Sequence, residues 1–282
     1  MTGTMAARET CRLVITPYLN TRAFVHHGPP PGADLVALPP REAGPAIADG
    51  RALAGIVPVG ALAEFEDQVE LLGHYGIACP GASQSVLFFS RVPFDRLGAA
   101  PKLRLSTESR SSVRLLQWLL AARGIALSSR AAPGEAVDGE LVIGDEALRR
   151  ADSPRDSLPH VIDLAERWYA TTGLPMVFAR WVIRRDASPA WRRRLLAWLA
   201  DFARDEARLL DRAAALDGAR AGLDPVRARR YLDGIRTVLG AAELRGQARY
   251  LDELDRLGRP DVAAATPLRQ RAMAGTERPF AH

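Results

Sequence analysis

The stretch STESRSSV, Ser106 to Val113, gathers five hydroxyl side chains and a guanidinium where an apolar strand pattern gives way to a helical one. A helix N-terminus presents free amide N–H groups and the positive end of the helix dipole, so carboxylates and phosphates bind there. Serine hydroxyls and a guanidinium add donors that suit a planar carboxylate. One Ser or Thr here is an ordinary N-cap. Five exceed that need, which favours an anion site built from Ser109, Arg110, Ser111 and Ser112. Other junctions carry fewer polar groups. PGASQS puts Ser83 and Ser85 ahead of an apolar run, and composition alone reads it as a polar loop. Asn20 follows the apolar Leu13 to Ile15 and has the residue type of an N-cap. Asp145 and Glu146 follow LVIG, where acidic side chains complement a helix dipole. Thr171, Thr172 and Gly173 form a turn ahead of another apolar run. His26 and His27 are adjacent, so on a helix they point in different directions, and no metal site is expected from them. The patterns GxGxxG after a strand, GxxxxGK(S/T) and GxSxG are absent, which weighs against nucleotide-dependent and hydrolase chemistry.

The elements that must position these groups alternate between short apolar runs and helical patterns, the mark of an α/β protein. RLVIT, the run at Leu35 to Leu38, LAGIVPV and the run at Ser85 to Ser90 read as strands, and the pattern restarts after VPFDRLGAAPK. Two long strands, Ser85 to Ser90 and Met176 to Arg184, bracket a self-contained block. This predicts a second lobe, residues 92–177, inserted into a first lobe of residues 1–91 and 178–282, with two crossing strands as the hinge. From Ser188 onward the pattern is helical throughout and rich in Arg, Ala and Leu. Ligands of open α/β sheets bind outside the carboxyl ends of strands, and a cleft between lobes collects such ends.

With 282 residues, 48% of them hydrophobic, the chain suits two lobes. The net charge of +5 comes from 38 basic and 33 acidic residues that are interleaved, so no nucleic-acid partner is expected. The run Arg192 to Arg194 lies among Trp191, Leu195, Trp198, Leu199 and Phe202 at helical spacing, which reads as the solvated face of an amphipathic helix. A modest positive field still favours a small anionic substrate. Cys11 and Cys79 lack disulfide or metal spacing and read as buried thiols. Residues 1–12 hold charges and no apolar signal region, and no run approaches transmembrane length, so no membrane partner and a cytoplasmic location are expected. Nothing in the pattern specifies an oligomeric state.

Six segments in order resemble the chorismate dehydratase family of the futalosine route to menaquinone. They are YLNTRAF at 18–24, GIVPV at 55–59, PGASQSVLFFSR at 80–91, STESRSSVRL at 106–115, LVIGDEALR at 141–149 and DLAERWYATTGLPMVFARW at 163–181. Each alone is weak; together, across Arg12 to Arg185, they are specific. The resemblance implies a type II periplasmic-binding-protein-like fold, two α/β lobes around a ligand cleft with a helical C-terminal region. It implies dehydration of chorismate, a small dicarboxylate, to 3-enolpyruvyloxybenzoate, with no metal or organic cofactor. In the family the positions matching Asn20 and Ser85 stand at the reacting ring. An amide is too weakly basic to take a carbon-bound proton. Asn20 is therefore expected to cap the helix with its backbone and to position the leaving hydroxyl with its side chain, and Ser85 to do likewise or relay a proton. Ser83 and Asp145 join the expected substrate contacts. Ser109, Ser111 and Ser112, with Arg110, are the expected anchor of one carboxylate, and Thr171 to Gly173 the second. The base is either a substrate carboxylate or Asp145, and lobe closure is expected to exclude water.

The sequence also departs from the family. Ala23-Phe24 stand for a usual Pro-Leu, Leu53 for a frequent Asp, and Gly81-Ala82-Ser83 for Gly-Pro-Val. These are expected to adjust cleft packing. Met176 and Arg180 replace a usual Phe and a small apolar residue, and Arg180 is expected to face solvent. The alternative function is a cytoplasmic solute-binding or sensor protein of the same fold for a small carboxylate. A transcription-factor effector domain needs an attached helix-turn-helix, and none is expected before Arg12.

Overall fold

In a computed structural model, which describes residues 11–258 apart from 126, 128–130, 132–133 and 152–156, the apolar runs form two separate sheets. Strands β1 (Cys11–Ile15), β2 (Ala33–Ala37) and β3 (Ala54–Pro58) are parallel. Parallel strands require crossovers, supplied here by α1 (Arg22–His27) and α2 (Pro40–Ala48). Leu13, Val14 and Ile15 are all buried, because both faces of this sheet are covered and the strand needs no polar side. Strand β4 (Val69–Cys79) joins the same sheet, and the chain then crosses to the second.

The second sheet holds β5 (Val86–Ser90), β6 (Leu103–Arg104), β7 (Gly139–Ile143) and β8 (His160–Asp163), in the order β6-β7-β5-β8. Helices α3 (Arg110–Ala121), α4 (Gly144–Ala151) and α5 (Leu164–Thr172) belong to it. The chain returns through β9 (Met176–Arg184), which lies antiparallel between β3 and β4. Helices α6 (Pro189–Asp217), α7 (Pro225–Asp233) and α8 (Ala241–Arg256) follow. Among the described residues no helix is long and apolar enough to cross a membrane.

The expected lobe boundaries shift. Strand β5 is flanked by β7 and β8, so the outward crossing lies in Pro80 to Ser85, before the strand and not after residue 91. The return is complete by Met176, which pairs with Cys79, ahead of the expected 178. A five-residue apolar strand has the same pattern in either sheet, so the sequence could not say which one it joined. Residues 1–10 and 259–282 of the expected first lobe lie outside the described residues. The tail expected to be wholly helical contains β10 (Arg236–Val238), an edge strand paired with β4 and too short to show a period.

Arg180 does not face solvent; it is 1% exposed. Strand β4 shifts register against β9 between Leu71 and Gly76, which frees carbonyls from the ladder. Arg180 donates to two of them, Gly73 O at 2.6 Å and Tyr75 O at 3.2 Å, and to Gln247 Oε1 on α8 at 2.6 Å. Burial pulls its pKa down to about 10, so it remains a cation at neutral pH. Phe24 stacks on Phe202 at 4.0 Å and meets Trp181 edge-on at 5.3 Å, which fastens α1 to α6. The departures at Ala23-Phe24, Leu53 and Ala82 thus do not adjust the cleft: the first pair packs under α6, and Leu53 and Ala82 line depressions elsewhere.

Candidate functional site

The carboxyl ends of β1, β3 and β7 meet at a narrow cleft between the two sheets, as expected for open α/β folds. One wall holds Thr16 and Tyr18 after β1 and Pro58 at the end of β3. The other holds Ser109 and Ser112 at the start of α3, and Ile143 and Gly144 where β7 meets α4. Phe178 and Ala179 of the returning strand and Ser85 of the outward crossing add to the lining, which is otherwise apolar, with Pro40, Ile56 and Val86. The cavity measures about 70 Å³. Small-molecule pockets run to roughly 300 Å³ or more, so a ring-sized ligand enters only when the walls part.

The four expected anion-site residues divide. Ser109 is the N-cap of α3, accepting from Ser112 N at 3.3 Å, and its hydroxyl lies 3.1 Å from that of Ser112. Both serines face the cleft. Ser111 is buried and committed elsewhere: Gly60 N donates to its Oγ at 2.8 Å, and it donates to Phe178 O at 3.1 Å. Arg110 is exposed and ion-paired with Glu64 of the first lobe. Consecutive helical residues point about 100° apart, so four in a row cannot share one cleft. Ser111 and Arg110 fasten the lobes instead.

Ser83 and Ser85 also separate. Ser83 is buried, accepts from Val86 N at 3.1 Å and donates to Asp163 at 3.0 Å. It therefore contacts Asp163 and not the cleft. Gln84 adopts a left-handed conformation (φ 59°), and its N–H also donates to Asp163, at 2.6 Å. Asp163 caps α5 through Ala165 N and Glu166 N. The loop is thus folded back on one carboxylate, with Ser85 left at the cleft. Burial still raises the pKa of Asp163 despite these donors.

Asn20 is half-buried within a short 3-10 turn, Leu19–Thr21, and does not cap it; its Oδ1 accepts from Thr16 Oγ1 at 3.4 Å. Leu19 N donates across the lobes to Asp145 Oδ1 at 2.9 Å. Burial is the main reason the pKa of Asp145 is raised, against the lowering effects of that hydrogen bond, Arg149 and Arg22. Tyr18 reaches Glu108 of the opposite wall, and burial followed by this partner holds its phenol protonated. Gly144 has φ +65°, and a Cβ there would stand 2.7 Å from the Tyr18 ring. Only glycine permits that approach.

Thr171, Thr172 and Gly173 do not reach the cleft. They end α5: Thr171 and Thr172 donate to Arg167 O and Trp168 O of their own helix, and Gly173 is its left-handed cap. A helix C-terminus presents carbonyl oxygens and the negative dipole end, the wrong partners for a carboxylate. Among the described residues no group of three or more His, Cys, Asp and Glu could hold a metal ion.

Sequence reasoning missed Thr16, Tyr18, Asp163 and Tyr231. Asp163 was detectable, since an aspartate ending VID with Glu166 three residues on has capping-box spacing. Tyr231 donates to Ser85 Oγ at 3.1 Å from 146 residues away, and no local pattern marks it.

A family profile described as menaquinone biosynthesis matches residues 11–256. The chain is 30% identical over 226 residues to the chorismate dehydratase of Thermus thermophilus, covering 73% of this chain and 76% of that one. Protein AF1704 of Archaeoglobus fulgidus shares its fold with TM-score 0.67 at 16% identity, over 90% of this chain and 99% of that one. The periplasmic aliphatic sulphonate binding protein SsuA of Escherichia coli matches with TM-score 0.56 at 16% identity, over 88% and 93% respectively. The fold is therefore that of the periplasmic binding proteins, α/β with a helical C-terminal region.

Proposed function

The chain belongs to the menaquinone biosynthesis family, and on that premise we propose that it is a chorismate dehydratase acting in the futalosine route. The reaction takes chorismate to 3-[(1-carboxyvinyl)oxy]benzoate and water. Chorismate carries two carboxylates, a ring hydroxyl and an enolpyruvyl ether. A ring C–H gives up its proton, its electron pair becomes part of the aromatic ring, and the adjacent C–O bond breaks with its pair on oxygen. The departing hydroxide takes a proton and leaves as water. The enolpyruvyl ether stays intact, so orientation decides which group is lost.

One observation carries this reading: Thr16, Ser85, Ser109 and Ser112 bring hydroxyls into one otherwise largely apolar cleft, with the N-terminus of α3 in one wall. Ser109, Ser112 and the amides of the first turn hold one substrate carboxylate. Asn20 and Ser85 orient the leaving hydroxyl. The proton goes to a carboxylate, either the substrate's own or Asp145, whose raised proton affinity suits a base. Closure around the ring dehydrates the site and strengthens these contacts.

Incubating the purified protein with chorismate tests this. The expected product is lighter by one water, absorbs as a benzoate and retains its enolpyruvyl group. Saturable binding with chorismate unchanged would instead make the protein a solute-binding or sensor protein. Neither turnover nor binding would remove chorismate as the ligand.

A further inference from the structure

Tyr231 lies in α7, within the Arg-rich tail, and is 1% exposed. Its phenol donates to Ser85 Oγ at 3.1 Å, and among the described residues no other acceptor takes that proton. A buried hydroxyl proton without an acceptor costs free energy, so the donation to Ser85 is fixed in direction. Burial drives the phenol's pKa upward, which keeps it a donor at every working pH. Ser85 Oγ therefore has a lone pair occupied from behind. Its backbone is held as well, since Gly144 N donates to Ser85 O at 2.8 Å. What Ser85 keeps for a ligand is its own hydrogen, which no acceptor among the described residues takes, and a second lone pair. Ser85 lines the cleft, so the cleft is where that hydrogen finds a partner.

We propose that Tyr231 is a positioning residue, which orients the Ser85 hydroxyl so that it donates its hydrogen toward the oxygen that leaves. This rests on the dehydratase reading given above. It deepens that reading by assigning a direction to Ser85: the serine assists departure of hydroxide and does not abstract the ring proton. A serine already accepting from a phenol is a poorer acceptor and a stronger donor, because chained hydrogen bonds polarise one another. The proton from carbon must then go to a carboxylate.

The test is a double-mutant cycle on chorismate turnover with Tyr231→Phe, Ser85→Ala and the pair, with each variant's melting temperature measured alongside. Removing an orienting partner of this kind typically costs about 10- to 100-fold. We expect Tyr231→Phe to lower kcat by that factor with KM changed less than about twofold. In the Ser85→Ala background the same substitution should add nothing, because its target is gone. A purely structural role would lower the melting temperature and act equally in both backgrounds. Site-specific 3-fluorotyrosine at position 231 keeps the ring and makes a stronger donor. It should raise kcat without affecting folding, and serves if the Phe variant does not fold. Normal kcat in Tyr231→Phe, additive effects in the cycle, or no response to fluorination would each overturn the proposal while leaving the dehydratase intact. A wild-type protein that does not turn chorismate over would overturn the dehydratase reading, and this proposal with it.

Discussion

The stretches Ser106 to Ser112 and Thr171 to Gly173 have similar composition and stand at opposite ends of helices. The first opens α3, where Ser109 and Ser112 bring their hydroxyls to the cleft at the positive end of the helix dipole. The second closes α5, where both threonine hydroxyls are spent on carbonyls of their own helix. Hydroxyl-rich sequence is thus not itself an anion site. Helix polarity decides whether the surrounding backbone offers donors or acceptors. Asp145 supplies a third case. It stands in the first turn of α4, an N-terminus that already carries a carboxylate of its own, yet burial outweighs its favourable neighbours and its pKa rises.

The largest expected effect breaks the α3 end. Ser109→Ala with Ser112→Ala removes two hydrogen bonds to a carboxylate, each worth about 1.5 kcal/mol or more, so KM for chorismate should rise about 100-fold. The lost cap should cost about 1 kcal/mol of stability. Steady-state kinetics with an unchanged KM would remove α3 as the anchor.

Gly144→Ala tests the neighbouring part of the same wall. The left-handed backbone and the Tyr18 ring should together destabilise the variant by about 1–3 kcal/mol in urea unfolding. A stable variant would show that Tyr18 can move aside without cost.

Asp145→Asn sharpens the third case through pH. The native pKa lies above the ordinary 3.8, so the folded state binds this proton more tightly than the unfolded chain. The stability this group contributes is full below pH 3.8 and is lost as pH rises through the native value. Unfolding curves of wild type and variant should therefore diverge between acid and neutral pH, with the wild type losing ground. Parallel pH profiles would show that burial does not perturb this carboxylate.

The smallest effect belongs to the α5 end. Thr171→Ala should leave KM unaltered and stability within about 0.5 kcal/mol, as for other surface positions. A tenfold rise in KM there would abolish the contrast with α3.

Much of this was legible in the chain. The continuous apolar run Leu13 to Ile15 and the largely apolar Met176 to Arg184, broken by Arg180, announced covered strands, and STESRSSV announced a helix start with spare hydroxyls. The division of that stretch into Ser109 and Ser112 at the cleft against Ser111 and Arg110 at the lobe contacts depended on the rotational phase of α3. The burial of Arg180 was hidden too, because the carbonyls it holds come from a register shift in a strand more than a hundred positions away.

By itself the sequence determined the α/β alternation and the junctions where polar groups gather, since these follow from local periodicity and helix-end chemistry. The tertiary structure alone decided which hydroxyls share a cleft, which sheet β5 joins and that Tyr231 of the tail stands behind Ser85. Such facts depend on how distant elements pack, and a side chain's direction carries chemistry only once its neighbour is in place.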